Sequence, residues 1–226
     1  MDTNDFSVQI TSAFLDEYKI FELIEKKDPK RFEDFKSKYW TAFELFRQAR
    51  NCLTHTPLRS SDYPFLISQE TLDLLRTMIR KMSIKAEEVC IKMSTIGTLP
   101  LEKPLHEAIV LMNAHNYSYI PIFDDHQRLA YVVSEKSILN LLADNPEGIL
   151  YDDHTILKDF KAYFTVTANE NEYYAFVGRK AFAYEARNMF VENRNNKKCG
   201  AIFVTETGSP NEAVLGMITA WDVFNI

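Results

Sequence analysis

Apolar side chains recur at intervals of three or four along residues 1–90, the spacing of one buried face of an α-helix. The first stretch is formed by Phe6, Ile10, Phe14, Tyr18 and Phe21. A second begins at Asp28-Pro29, where Asp28 can cap a helix and Pro29 suits its first turn, and it ends before Pro57. A third begins near Ser68. The pattern predicts an all-α bundle of three helices.

The pattern changes after residue 93, where short apolar runs alternate with helical ones. It predicts a helix, a strand at Tyr119–Phe123, a second strand and a helix, and the same order then returns. The matching pairs are Glu107-Ala108 with Glu185-Ala186, Pro121-Ile122-Phe123 with Ala201-Ile202-Phe203, and Val133-Ser134 with Ile218-Thr219. We place the first copy at about 93–143 and the second at about 166–226, with 144–165 as their connection. Neither copy alone could cover both faces of its sheet, so the two should pack together. The fold class is α+β, with a helical domain at 1–90 and an α/β module at 91–226.

Composition and charge narrow the functions available to the chain. Forty-six per cent of its residues are hydrophobic and 26% are charged, which is typical of a globular protein. Residues 1–90 have a charge balance of −1, and the remainder has 12 basic against 17 acidic side chains, a balance of −5. Neither part has the basic excess of a general nucleic-acid binder. With three scattered cysteines, no secretory signal and no long apolar run, we expect a cytoplasmic protein outside the membrane.

One segment of the second copy carries a ligand-binding pattern. Gly216, Thr219 and Asp222 follow the spacing Gly-x-x-Thr-x-x-Asp across a strand-to-helix step. A hydroxyl at a helix N-terminus lies beside backbone N–H groups that favour an anion. The segment resembles the CBS motif, whose tandem pairs (Bateman modules) most often bind adenosine nucleotides. The resemblance implies that Thr219 contacts phosphate and Asp222 the ribose hydroxyls of an adenine nucleotide such as AMP or ATP, with Gly216 and Ile218 also at the site.

The first copy departs from this pattern. Tyr131 stands where the family has glycine, and Ser137 where it has the ribose-binding aspartate, although Ser134 keeps the hydroxyl. We therefore expect one competent nucleotide site at Thr219 and one weak or altered site at Ser134 and Ser137. The alternative is that Thr219 and Asp222 form an ordinary helix cap, and that the CBS pair serves only as a scaffold or dimerisation module.

The helical domain has its own candidate site at the end of its second stretch. Arg50-Asn51-Cys52-Leu53-Thr54-His55 resembles the Arg-x(4–6)-His motif of HEPN domains, many of which are dimeric, metal-independent endoribonucleases. The resemblance implies that Arg50 holds the scissile phosphate, Asn51 positions it and His55 moves the proton. Attack by the RNA's own 2′-hydroxyl needs a group that titrates near neutrality and a cation, and no metal is required.

Helix geometry constrains that candidate site. Asn51 and His55 are four residues apart and share a face, whereas Arg50 lies about 140° around the helix from His55. A single helix should therefore struggle to bring all three side chains together, and a homodimer would do so better. The alternative is that Arg50 and His55 satisfy the last carbonyls of the helix.

Three functions remain open from the sequence. The leading hypothesis is a nucleotide-sensing regulatory protein whose CBS pair modulates a HEPN-like domain that cleaves RNA. The runner-up is a non-enzymatic regulator whose helical domain only dimerises or docks a partner, and the third is a pure interaction protein. The expected partners are a small-molecule nucleotide, RNA under the first hypothesis, and a second copy of the chain. No spacing indicates a metal site.

Overall fold

The computed structural model describes residues 3–27, 29–55, 63, 65–167 and 172–224. The chain forms two compact units, Met1–Ser83 and Ile84–Ile226, so the division falls earlier than residue 90. The reason lies in the short helix at 86–89, because the Ala86 N–H donates to the Ala181 carbonyl at 2.8 Å. The Ala183 N–H likewise donates to the Ile84 carbonyl at 2.9 Å. These bonds make residues 84–89 part of the second unit.

The described part of the first unit contains four helices, where the sequence pattern predicted three. They are α1 (Thr3–Lys27), α2 (Pro29–Lys38), α3 (Trp40–His55) and α4 (Gln69–Ser83). The second predicted stretch is divided at Tyr39, whose N–H is shared between the carbonyls of Phe35 and Lys36. The apolar spacing continues across this turn, which is why periodicity did not reveal it. Asp28 and Pro57 lie outside the described residues.

Aromatic rings form the core of the first unit. Phe14, Phe35 and Phe46 are completely or almost completely buried. The Phe21 ring joins the helices, with its centroid 4.9 Å from that of Phe43 and 6.1 Å from that of Phe46. Ring pairs at such distances stabilise a core by roughly 0.5–1.5 kcal/mol each beyond the area they bury.

The second unit begins with a helix and a strand that precede the first copy. These are α5 (Ala86–Val89) and β1 (Ile91–Lys92). The first copy then supplies α6 (Leu105–His115), β2 (Tyr119–Phe123), β3 (Leu129–Ser134) and α7 (Glu135–Asp144). After α8 (Lys161–Phe164), the remaining elements are β4 (Glu172–Gly178), α9 (Ala183–Val191), β5 (Lys198–Thr205), β6 (Gly216–Ile218) and α10 (Ala220–Phe224). The predicted order of helix, strand, strand and helix is present in both copies.

Two sheets organise this unit. One has the strand order β1-β6-β5-β4, with β4 and β5 parallel, and the other is the antiparallel pair β2-β3. The sequence pattern did not indicate β1, which pairs with β6 through Ile91 with Met217 and Lys92 with Gly216. Thr165, just before the second copy, makes an isolated antiparallel bridge to Tyr131 in β3. The segment leading into each copy thus pairs with the last strand of the other copy.

The connection between the copies also contributes to the core. It contains a 3₁₀ turn (Leu157–Phe160) followed by α8, and Leu157 and Phe164 are fully buried in the same hydrophobic cluster as Leu141 of α7. Packing of this kind ties the connection to the first copy. Across the described residues, no helix combines the length and the apolar character that a membrane crossing needs.

Candidate functional site

Asp222 caps the start of α10 by reaching back to Thr219. The Thr219 N–H and hydroxyl both donate to Asp222 Oδ2 at 2.7 Å, and the Asp222 N–H donates to the Thr219 carbonyl at 3.2 Å. This is the capping geometry that the sequence left open as an alternative. Both side chains can still make further hydrogen bonds. The Thr219 hydroxyl keeps its lone pairs while it donates, and the second carboxylate oxygen of Asp222 can accept further bonds.

Thr219 also lines a cavity of about 570 Å³ in the second unit. The second copy contributes Cys199, Gly200, Met217, Thr219, Ala220 and Trp221. The first copy contributes His115, Asn116, Tyr117, Ser118, Tyr119 and Glu135, and Ile91, Thr95, Ile96 and Gly97 come from the segment around its start. The cavity therefore lies between the two copies. Its volume is in the range of small-ligand sites, roughly 300–1,000 Å³.

Glycines allow tyrosine rings to stand close to the backbone at this cavity. A Cβ atom on Gly97 would lie 2.5 Å from Tyr117 Cε2, and one on Gly200 would lie 3.1 Å from Tyr119 Cε1. The Tyr117 ring also stacks on His115, with their centroids 5.2 Å apart. Flat, partly apolar walls of this kind suit an aromatic ligand group.

Burial disfavours the charged forms of several titratable groups beside the cavity. The Tyr119 hydroxyl donates to Glu172 Oε1 at 3.3 Å, and burial raises the pKa of both Tyr119 and Glu172. Burial likewise raises the pKa of the Cys199 thiol to about 12, so it stays protonated near neutrality. The described residues contain no group of three His, Cys, Asp or Glu side chains arranged to hold a metal ion.

Gly216 and Ile218 have packing positions in β6. A Cβ atom on Gly216 would lie 2.5 Å from Cys90 Sγ and 2.7 Å from the Ile91 carbonyl oxygen, so glycine is what lets β1 approach β6. Ile218 is fully buried and pairs with Ile202. Neither residue belongs to the described lining of the cavity.

Ser134 and Ser137 form the matching cap of the first copy. The Ser134 N–H donates to Ser137 Oγ at 2.8 Å, and the Ser137 N–H donates to Ser134 Oγ at 3.0 Å. Ser137 thus accepts from the preceding N–H as Asp222 does in the second copy. Both serines are buried, and neither is among the described residues that line the cavity.

Arg50, Asn51 and His55 are brought together by α3 alone. Arg50 Nη1 donates to Asn51 Oδ1 at 3.1 Å and lies 3.4 Å from His55 Nε2. The expectation that a single helix would struggle to bring them together was wrong, because the long arginine side chain spans the angle between the faces. Arg50 Nη2 is also 3.3 Å from Glu22 Oε1 of α1, so its charge is partly neutralised. The Thr54 hydroxyl, not Arg50 or His55, donates to a late carbonyl of the helix, that of Arg50.

The sequence motifs identified only a small part of the cavity. Tyr119, Glu135, Gly200 and Trp221 all line it, yet they come from separate segments that only the fold brings together. The repeat gave one usable signal, since Tyr119 lies two residues before the matched segment at Pro121 and Gly200 lies one residue before the segment at Ala201. Sequence spacing alone does not show that these two positions face one another.

The chain was compared with known families and proteins. Residues 86–144 match the family model of the CBS domain. No curated protein matches the sequence. Among solved structures, CBSX2 in complex with AMP is 15% identical, with 63% of this chain and 95% of that one covered and a TM-score of 0.45.

Two further solved structures have a similar sequence identity, coverage and TM-score. The acetoin utilisation protein AcuB from Vibrio cholerae is 20% identical, with 62% of this chain and 86% of that one covered and a TM-score of 0.44. The CBS domain of a bacterial CNNM/CorC family Mg²⁺ transporter in complex with ATP is 14% identical, with 67% of this chain and 92% of that one covered and a TM-score of 0.44. The family match covers one part of the chain: residues 86–144 are similar to the CBS domain.

Proposed function

We propose that residues 91–226 are a tandem CBS pair that binds an adenine nucleotide as a regulatory ligand in the cavity between its copies. The observation that carries the proposal is the cavity of about 570 Å³ with Thr219 in its wall. The walls formed by Tyr117 and Tyr119 suit the base. Thr219 supplies a hydroxyl for a phosphate oxygen, and Asp222 lies one hydrogen bond behind it.

Binding requires a rearrangement at the cap. Asp222 Oδ2 accepts from both the N–H and the hydroxyl of Thr219. If the hydroxyl turns towards phosphate, the carboxylate loses one of these bonds and gains a ribose hydroxyl in exchange. The number of hydrogen bonds is conserved, so the cap does not prevent binding.

The test is calorimetric titration of the full chain with AMP, ATP and S-adenosylmethionine. Thr219→Ala should weaken binding by about 10-fold or more, since a hydrogen bond to a charged group contributes roughly 1.5–3 kcal/mol. Thr219→Ser keeps the hydroxyl and is the matched control. If no ligand binds the wild-type chain, or if both variants bind as well as wild type, the proposed site is wrong.

The ligand would act on the helical unit, and a homodimer suits both parts of the chain. Sedimentation velocity with and without AMP measures the oligomeric state and its dependence on ligand. We expect a dimer in both conditions. A monomer at micromolar concentration would contradict the homodimer and leave the nucleotide site standing.

A second candidate function is metal-independent RNA cleavage by a HEPN-like helical unit. The observation in its favour is the convergence of Arg50, Asn51 and His55, with Arg50 Nη1 at 3.1 and 3.4 Å from the other two side chains. His55 is exposed at the end of α3, where it can reach a substrate proton. For Arg50 to hold a scissile phosphate, its guanidinium would exchange Glu22 for the substrate.

Cleavage of RNA in EDTA tests this candidate. His55→Ala should lower the rate by about 100-fold or more, as loss of a general acid–base group typically does. Arg50→Ala should lower it by a similar factor, because the developing negative charge on the phosphate loses its cation. Arg47→Ala is the matched control, because Arg47 pairs with Glu44 one turn earlier on α3 and lies outside the cluster. If the wild-type chain does not cleave RNA, the runner-up remains, in which the helical unit only dimerises or docks a partner.

A further inference from the structure

We propose that the cavity selects adenosine ligands by charge, accepting a nucleoside or monophosphate and disfavouring di- and triphosphates. This inference rests on the proposed nucleotide site and names the class of ligand that the site takes. It follows from the side chains that the fold places around the cavity, which differ from those of a polyphosphate site.

The lining is poor in positive charge. Among the described residues that line the cavity there is no lysine and no arginine. Glu135, exposed at the first position of α7, is a carboxylate, and His115 is the one imidazole in that lining. The remaining polar side chains include Thr95, Asn116, Ser118 and Thr219, which are neutral donors. Neutral donors can hold one phosphate, whereas sites for several phosphates use arginine, lysine or a bound cation.

Lys198, exposed beside Cys199, is outside the described lining, and three other basic side chains near the cavity have contacts elsewhere. Lys136 acts on Glu172, whose carboxyl pKa its charge lowers against the larger effect of burial. The Arg194 guanidinium lies 5.6 Å from the centre of the Tyr173 ring. Lys92 donates to the Glu87 carbonyl. None of the three belongs to the described lining, so a chain of phosphates in the cavity would share it with the Glu135 carboxylate and with no lysine or arginine of that lining.

The charge of the whole unit acts in the same direction. Residues 84–226 contain 13 Lys and Arg against 19 Asp and Glu, a balance of −6, which is the entire net charge of the chain. A negative surface lowers the local concentration of polyanions, and this effect weakens as salt rises. Each added phosphate is therefore disfavoured both at the cavity and on approach to it.

The test is titration of the full chain with adenosine, AMP, ADP and ATP in EDTA, at low and high NaCl. At low salt we expect ATP to bind about 10-fold or more weaker than AMP, because close like charges repel strongly where solvent is partly excluded. High salt should narrow this gap in affinity between AMP and ATP, because it screens the repulsion. Glu135→Gln should narrow it at low salt, and Glu135→Lys should narrow or reverse it. Glu147→Gln, a carboxylate outside the described lining, is the control for net charge.

The outcomes separate the two proposals. If ATP binds at least as tightly as AMP at low salt, charge selection is overturned while the nucleotide site stands. If the gap is present but Glu135→Gln and Glu147→Gln change it equally, selection by Glu135 at the cavity is overturned. If none of the four ligands binds, the proposed nucleotide site falls and this inference falls with it. Melting temperatures of each variant establish that it is folded.

Discussion

At the scale of single residues, Thr11 shows how one buried hydroxyl can hold distant parts of the first unit together. Thr11 is fully buried in α1. Its hydroxyl donates to the Ser7 carbonyl at 3.0 Å and accepts from the Ile67 N–H at 2.9 Å. The second bond fixes the chain just before α4 against α1. An apolar side chain of the same shape would leave the Ile67 N–H buried without this acceptor.

Thr11→Val should therefore destabilise the first unit by roughly 1–3 kcal/mol, the cost of an unsatisfied buried polar group. The measurement is urea unfolding followed by circular dichroism. Thr11→Ser keeps the hydroxyl and should lose less stability than Thr11→Val, since it removes only a methyl group. Equal losses for the two variants would show that packing of the methyl group, and not the hydrogen bond, is what matters at this position.

At the scale of elements, the β2–β3 hairpin depends on Asp124. Its Oδ1 accepts from the backbone N–H groups of His126 and Arg128, both at 2.9 Å, and its Oδ2 accepts from Arg128 Nε at 2.8 Å. Gln127 has a positive φ of 59°, so the turn includes one left-handed residue. The bonds from Arg128 and His126 hold the pKa of the Asp124 carboxyl below its usual value.

A lowered pKa in the folded state means that the ionised carboxylate stabilises the fold. Its contribution is present above the unfolded-state pKa of about 3.9 and is lost as pH falls through the folded-state value. Asp124→Asn should therefore lower the melting temperature at pH 7, and the difference from wild type should shrink towards pH 3. Asp125→Asn, at the exposed neighbour, is the control. A difference that does not change with pH would contradict this role for the charge.

At the scale of the whole second unit, the exchange of leading segments joins the two copies. β1 precedes the first copy yet completes the sheet of the second, and Thr165 precedes the second copy yet bridges to β3 of the first. Neither copy can unfold without breaking a pairing of the other. Cooperative unfolding of the unit in one transition follows from this arrangement.

Gly216→Ala tests that coupling. Its Cβ would be forced against the Ile91 carbonyl oxygen, which is backbone, so β1 must move and the unit should lose roughly 1–3 kcal/mol. Gly97→Ala is the comparison, because its new Cβ meets the Tyr117 ring, a side chain that can shift, and it should cost less. Amide exchange should rise in both sheets for Gly216→Ala. A rise confined to β1 and β6 would show that the copies open independently.

The parts of this structure that could be predicted from sequence are those encoded by local patterns. Strand β2 has the predicted bounds, because an apolar run between turn signals marks both its ends. β1 could not be found, since Ile91 and Lys92 alone show no periodicity. The break at Tyr39 was missed because Phe35 and Phe43 keep the apolar spacing across it. Thr219 and Asp222 were found as neighbours, but the rest of the cavity depends on contacts between distant segments.

The position of Trp221 has an optical consequence. The chain has two tryptophans, Trp40 in the first unit and Trp221 at the cavity of the second, and their exposures are 56% and 84%. A Trp40→Phe variant would leave one indole whose emission comes only from the cavity rim. Shielding of an indole from water shifts its emission to shorter wavelength, so any molecule that covers this rim would be reported without an added label. The Trp221→Phe variant would report in the same way on the helical unit.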